Sequence, residues 1–118
     1  MLTAPGRLGD SVGLLEDPTN RVVVSAASTW EIAIKASTGR LPMPADLDRY
    51  LADQMTDQLV EPLVVDHRHA VRAVQLPWHH RDPFDRILIA QAQVEGIPIM
   101  TADRAFDAYD CEVIPVGR

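Results

Sequence analysis

The stretch DPFDRILIAQAQVEGIPIMTAD, residues 82–103, decides the fold, because it encodes a helix, a stop and a buried strand in succession. Asp82 followed by Pro83 is typical of an N-cap and a first helical residue, and the apolar run after them ends at Gly96, a good helix stop. IPIMT, residues 97–101, has the apolar and β-branched character of a buried strand. The sequence therefore predicts a long helix turning tightly into a strand.

Two acids, Asp85 and Asp103, lie at the outer ends of this unit. From Asp85 to Gly96 the helix advances about 17 Å at ~1.5 Å per residue. From Ile97 to Asp103 the extended chain returns about 20 Å at ~3.3 Å per residue. The two paths nearly cancel, so antiparallel packing of helix and strand is expected to place the two acids side by side.

The rest of the chain alternates in the same way. Strands are predicted at 21–25, 63–65 and 112–116. Helices are predicted at 7–17, from Asp66 to Leu76, and briefly within 102–109. Another is predicted to begin at a capping box, Ser28–Glu31, and to end at Gly39. A further amphipathic helix is predicted from the apolar residues that recur every four positions: Leu47, Leu51, Met55 and Leu59. Strands alternating with helices indicate an α/β fold with a mainly parallel sheet covered on both faces.

The composition is that of one globular domain, residues 1–118, with 47% hydrophobic and 24% charged residues. A net charge of −6 argues against a protein that coats nucleic acid through bulk positive charge. The single cysteine, Cys111, excludes an internal disulfide, and there is neither a run of ~20 apolar residues nor a signal peptide. We expect a cytoplasmic protein without a membrane segment.

A third acid, Glu31, is expected at the same edge as Asp85 and Asp103, because it follows closely on strand 21–25 and the carboxyl ends of parallel strands form the working crevice. Three gathered carboxylates repel one another unless a cation lies between them. Magnesium or manganese, with oxygen ligands, would serve and would activate water for phosphodiester hydrolysis. Each acid also has a purely structural interpretation: capping box for Glu31, helix-dipole partner for Asp85, N-cap for Asp103.

Further residues have supporting roles in this hypothesis. Thr101 is a candidate to hydrogen-bond a ligand carboxylate, and Asp82 to bind the metal through water, although capping is the better interpretation of Asp82. Phosphate contacts are assigned to Arg81, Arg86 and Arg104. The four histidines, which lack zinc-ligand spacing, are left out of the site: His67, His69, His79 and His80.

Three blocks, VSAASTWEIAIK (24–35), HHRDPFDRILIAQA (79–92) and IPIMTADRAFDAY (97–109), resemble in this order the motifs of PIN-domain ribonucleases, specifically VapC-type toxins of toxin-antitoxin systems. The resemblance implies an α/β/α sandwich with a parallel sheet, RNA cleavage dependent on magnesium or manganese, a homodimer, and a cognate antitoxin that inserts a segment into the active site. The family's acids correspond to Glu31, Asp85 and Asp103.

The chain departs from this family at its beginning. The family opens with a strand ending in an aspartate, a principal metal ligand, and Asp10 does not follow a β-branched run that would replace it. In the family order 3-2-1-4-5, this strand would be central, between 21–25 and 97–101. We therefore predict that the first strand is missing, with a gap, a rearranged sheet or the N-terminal segment in its place, and that the chain alone is poorly soluble and nearly inactive.

Two other functions are compatible with parts of the pattern. A non-catalytic PIN-like module that binds antitoxin or RNA would need only the surface and not a complete set of acids. A phosphoaspartate phosphatase or receiver domain also uses acids at strand ends, but no aspartate here ends a strand with a second acid two positions on. The leading hypothesis is the toxin-type endoribonuclease.

Overall fold

The computed structural model describes residues 2–3, 22–39, 46, 48–49, 52–53 and 60–115. Within these ranges the strands are β1 (Leu2–Thr3), β2 (Val22–Ser25), β3 (Val60–Leu63), β4 (Ile99–Thr101) and β5 (Val113–Pro115). The α-helices are α1 (Ala26–Ser37), α2 (His67–Gln75) and α3 (Pro83–Glu95), and a 3-10 helix covers Arg104–Ala108. The strands form one sheet in the order β3-β2-β1-β4-β5, and every neighbouring pair is parallel.

The central place in the sheet, from which the sequence predicted the family's first strand to be missing, is occupied by β1. Leu2 pairs in register with Val23 on one side and with Ile99 on the other. Of the three expected outcomes, the N-terminal segment filling the gap is the one observed. A strand of two residues is too short for its side chains to form a detectable alternating pattern, which explains why the sequence did not reveal it.

The helix α3 begins and ends where the sequence predicts, since local signals determine both ends. Asp82 is its N-cap, Pro83 its first residue, and Gly96 its C-cap with φ of 66°. The left-handed conformation at Gly96 is the one that glycine adopts without steric cost, so the chain can turn at once into β4. The middle of α3 is buried, and Leu88, Ile89, Ala90 and Ala92 form the core with residues of α2, β4 and the 3-10 helix.

The start of α1 differs from the prediction. Its N-cap is Ser25, the last residue of β2, which has an extended backbone. The side-chain Oγ of Ser25 accepts the N–H of Ala27 at 3.0 Å. Ser28 therefore lies inside the helix, and the capping box at Ser28–Glu31 is wrong. Because Glu31 then falls in the second turn, its carboxylate has no capping role.

Other boundaries shift for identifiable reasons. The strand expected at 63–65 lies earlier, at Val60–Leu63, and shares only Leu63 with the prediction. This strand, β3, includes Pro62, and proline is tolerated there because β3 is an edge strand that need not donate on its outer side. The strands predicted at 97–101 and 112–116 begin later than expected, at Ile99 and Val113. The helix α2 begins after its N-cap Asp66 as predicted. The predicted helix at 7–17, Asp10, and the repeat of Leu47, Leu51, Met55 and Leu59 lie outside the described residues. None of the described helices is both long and apolar enough to span a membrane.

Candidate metal centre

Asp85 lies in the first turn of α3 and is positioned by the helix cap. One carboxylate oxygen of Asp82 accepts the backbone N–H groups of Phe84 at 2.9 Å and of Asp85 at 3.1 Å. These bonds fix the first turn, so Asp82 acts as the N-cap that the sequence predicts. The Asp85 carboxylate is largely sheltered, with 17% of the side chain exposed.

Asp103 reaches the same edge from the end of β4. Thr101, buried at the last position of that strand, accepts the N–H of Asp103 through its hydroxyl oxygen at 3.1 Å. One oxygen of Asp103 accepts the N–H of Ala105 at 2.9 Å and so caps the 3-10 helix. The contact of Thr101 is thus with the backbone of Asp103, and the threonine fixes the turn that carries this acid.

His80 completes the cluster, although the sequence analysis left it out. Its Nε2 lies 2.6 Å from Oδ2 of Asp85. Ligand atoms of His80, Asp85 and Asp103 all lie within 4.8 Å of one another. The structure therefore brings together two of the three predicted acids and one histidine at the carboxyl edge of the parallel sheet.

Glu31 stands beside this cluster and is coupled to it electrostatically. Its pKa is raised, first by burial and then by the charges of Asp85 and Asp82, whereas Lys35 on the next turn acts in the opposite direction. The Nζ atom of Lys35 lies 3.9 Å from the Glu31 carboxylate. Glu31 is not among the three residues whose ligand atoms fall within 4.8 Å in the described part of the chain.

The pKa of Asp85 is also raised, mainly because burial disfavours its charged form. The negative charges of Asp82 and Asp103 act in the same direction, and the hydrogen bond with His80 acts against them. The folded chain therefore holds carboxylates where their charges are costly. A cation at this position would remove that cost.

The predicted phosphate contact by Arg86 is wrong. Its side chain is only 3% exposed, and its guanidinium donates hydrogen bonds to four backbone carbonyls, with Trp78 packed over its face at 3.7 Å. The acceptors are the carbonyls of Ala73, Leu76, Pro77 and His80. An arginine saturated in this way cannot reach a phosphate, whereas Arg81 and Arg104 are exposed.

A second cluster, Asp66, His69 and Glu95, lies at the other end of α3. His69 is 1% exposed; its Nδ1 accepts the N–H of Asp66 at 3.0 Å, so its Nε2 donates to Glu95 at 2.9 Å. Arg68 bonds to both acids, and its hydrogen bond lowers the pKa of Asp66 to about 2. Since both ring nitrogens are occupied and the acids are already paired, this cluster joins α2 to α3 and is not a metal site.

The parallel sheet and the acids at its carboxyl edge define an α/β protein of the PIN class. The chain belongs to the PIN-domain family, because the sequence model of that family matches residues 8–111. The predicted PIN-like α/β fold is thereby confirmed.

Among characterised proteins, the chain is 38% identical over 66 residues to ribonuclease VapC16 of Mycobacterium tuberculosis. The match takes in 56% of this chain and 47% of that protein, so the chain spans about half the length of the relative it matches.

Two solved structures have the same fold. FitAcB from Neisseria gonorrhoeae superposes with a TM-score of 0.63 at 16% identity, over 97% of this chain and 96% of that one. FitAB bound to an IR36 DNA fragment gives a TM-score of 0.67 at 17% identity, over 97% of this chain and 93% of that one. At these identities the likeness shows the fold alone.

Proposed function

We propose that this chain is a metal-dependent endoribonuclease of the VapC toxin type, which hydrolyses RNA phosphodiesters in the cytoplasm. The observation that carries the proposal is the convergence of Asp85, Asp103 and His80 at the carboxyl edge of a PIN-domain sheet. The similarity to ribonuclease VapC16 supports the choice of RNA as substrate.

The donor atoms fit a small divalent cation such as magnesium or manganese. With metal–oxygen distances of about 2.1 Å, adjacent ligand oxygens of one ion stand about 3 Å apart and opposite ones about 4.2 Å apart. The present spread of up to 4.8 Å requires only small side-chain adjustments. The raised pKa values of Asp85 and Glu31 are a second sign that positive charge belongs here. When bound, the cation would neutralise the acids and polarise a phosphodiester and its attacking water.

Each residue of the proposed site has its own role in binding the cation or the RNA. Asp85 and Asp103 would hold the cation directly, and Glu31, in the second turn of α1, would ligate it through water. Asp82 and Thr101 keep the two principal acids in place through the hydrogen bonds described above. The exposed guanidinium groups of Arg81 and Arg104 would contact RNA phosphates and orient the backbone over the acids.

A cognate antitoxin and a homodimer are part of the proposal. An apolar groove of about 340 Å³ lies between α1 and β3, lined by residues that include Trp30 and Leu63. Trp30 is 64% exposed and sits next to Glu31 in the sequence. An antitoxin segment with apolar residues for this groove and a basic side chain for the acids would suit both features. Pull-down from the native host should recover a small DNA-binding partner, and light scattering should give twice the chain mass.

One observation favours a second candidate function, a non-catalytic PIN-like module that binds antitoxin or RNA. The central strand β1 ends at Thr3, and neither of its two residues carries the carboxylate that the family places at that strand's end. A site without this acid has less negative charge with which to hold the cation.

Cleavage of a labelled RNA by the purified chain, with magnesium or manganese, distinguishes the two functions. Asp85→Asn, prepared identically, should lose at least ~100-fold in rate, because removing a ligand should cost at least as much as removing the residues around one. Glu112→Gln is the matched control. Glu112 is exposed and precedes β5, so it lies at the amino ends of the strands and not at the carboxyl ends where the acids are. Equal activity of Asp85→Asn and the parent chain would overturn the proposed site. RNA binding without metal-dependent cleavage would favour the binding module.

A further inference from the structure

The segment between α2 and α3, residues 76–82, is fixed by hydrogen bonds from the buried side chain of Arg86. Its Nη2 donates to the carbonyls of Ala73 at 2.6 Å and Leu76 at 2.9 Å. Its Nη1 donates to the carbonyls of Pro77 at 2.9 Å and His80 at 3.1 Å. One cation thus ties the end of α2 and the following loop to the first turn of α3, so the loop has a fixed path.

Tyr109, buried after the 3-10 helix, fixes the backbone of His80 itself. Its hydroxyl accepts the N–H of His80 at 2.8 Å and donates to the carbonyl of the same residue at 3.3 Å. With Arg86 on that carbonyl as well, both backbone polar groups of His80 are bound by buried side chains. These contacts, which have no part in holding a cation, therefore fix the backbone from which the imidazole extends.

The imidazole of His80 is aimed at Asp85. A separation of 2.6 Å between Nε2 and Oδ2 requires a proton between the two atoms, because two lone pairs would repel at that distance. An ionised Asp85 carboxylate can only accept, so when Asp85 carries its charge Nε2 is the donor and offers no lone pair to a metal. The bond occupies one oxygen of Asp85 and leaves the other oxygen to bind the cation.

We infer that His80 is a positioning residue, which fixes the Asp85 carboxylate in the orientation that binds the divalent cation, and that Tyr109 and Arg86 set its place. The inference rests on the proposed function, because it assigns His80 a role in the same metal centre. Hydrogen bonds to ligating carboxylates commonly govern metal affinity, and their loss costs about 10–100-fold. His80 would thus be needed for binding the metal without touching it.

Titration of the full chain with manganese, followed by the electron paramagnetic resonance of free Mn²⁺, gives the affinity without any turnover. His80→Ala should weaken binding about 10–100-fold. His80→Gln, whose side-chain amide can donate from nearly the same place as Nε2, should recover most of that loss. His67→Ala is the matched control, because His67 is an exposed histidine at the start of α2.

Tyr109→Phe tests the support of the histidine. It keeps the ring but removes the hydroxyl that holds His80, so it should weaken Mn²⁺ binding in the same direction. The double substitution Tyr109→Phe with His80→Ala should weaken Mn²⁺ binding little more than His80→Ala alone. The effects of two residues that act on the same contact are not additive. Full additivity of the two substitutions would overturn the role given to Tyr109.

Electron spin-echo spectra of bound Mn²⁺ separate positioning from direct ligation. The inference predicts no nitrogen modulation of the size given by a coordinated imidazole. Strong modulation that disappears in His80→Ala would overturn it, as would unchanged Mn²⁺ affinity of folded His80→Ala. A parent chain that binds no Mn²⁺ at millimolar concentration would overturn the proposed function, and this inference with it.

Discussion

The guanidinium of Arg86 lies 3.7 Å from the centre of the Trp78 ring, which closes the exposed side of an otherwise buried cation. The arginine of the DPFDR motif is therefore a structural residue, although its neighbours are the candidate metal ligands. Its charge is compensated by carbonyl dipoles and by the ring face.

Replacement of Arg86 by methionine should lower the free energy of unfolding by at least ~3 kcal/mol, because several buried carbonyls lose a charged donor at once. Arg86→Lys should also destabilise the chain, since one ammonium cannot reproduce the planar fork of the guanidinium. Urea denaturation gives the value, and the exposed Arg81→Ala should change it by less than about 0.5 kcal/mol. A fully stable Arg86→Met chain with weakened RNA binding would restore the phosphate-binding interpretation.

The ends of α3 could be predicted because Asp82, Pro83 and Gly96 act within one helical turn of where they stand. His80 could not be placed in this way, because its position depends on Tyr109, which is 29 residues away in the chain. The pair of histidines before DPFD was the available signal, but no spacing rule separates a loop histidine from one that meets Asp85. Ser25 was missed for a related reason: a serine that ends a strand can also cap the helix that follows, and this depends on where the strand stops.

Asp85 and Glu31 should make the metal-free protein less stable as pH rises. A carboxyl whose folded pKa is raised contributes stability that is fully present below its unfolded pKa, about 3.8 for Asp85, and is lost as pH rises through the folded value. Asp85→Asn does not ionise, so with chelator present it should exceed the parent chain in stability at neutral pH and lose this advantage in acid. Urea denaturation across this pH range measures the effect. An Asp85→Asn chain that is less stable than the parent at neutral pH would contradict the raised pKa.

Adding Mn²⁺ should make the parent chain more stable than Asp85→Asn, the reverse of the order expected without metal. A ligand that binds only the folded state stabilises it by about 2.7 kcal/mol at a concentration of 100 Kd. The parent chain should gain this stability, whereas Asp85→Asn should gain little because it lacks a ligand charge. Thermal unfolding with and without Mn²⁺ measures the gain, and Glu112→Gln should behave as the parent. Equal stabilisation of all three proteins would place the ion elsewhere.

Arg81 and Arg104 should each contribute to RNA affinity through phosphate charge alone. Removing one phosphate contact should reduce the slope of log affinity against log salt by about 0.7 on single-stranded RNA. The measurement is RNA binding by the Asp85→Asn chain at several salt concentrations, with Arg81→Ala or Arg104→Ala added. Arg68→Ala serves as control, because Arg68 pairs with Glu95 at the far end of α3. Unchanged slopes for both variants would remove these arginines from the RNA surface.

The short strand β1 should matter far more than its length suggests, because it joins the two halves of the sheet. Thr3 pairs with Val24 in β2 and with Met100 in β4, so both neighbours depend on its backbone. Thr3→Pro removes the N–H and fixes φ, and each buried backbone group left unmatched costs about 1–3 kcal/mol. We expect Thr3→Pro to be poorly soluble or partly unfolded, the behaviour that the sequence predicted for the chain as a whole. Thr3→Ala keeps the backbone donor and is the control, and hydrogen exchange of the amides of Val24 and Met100 is the measurement. Slow exchange at both positions in Thr3→Pro would show that β2 and β4 are held together without β1.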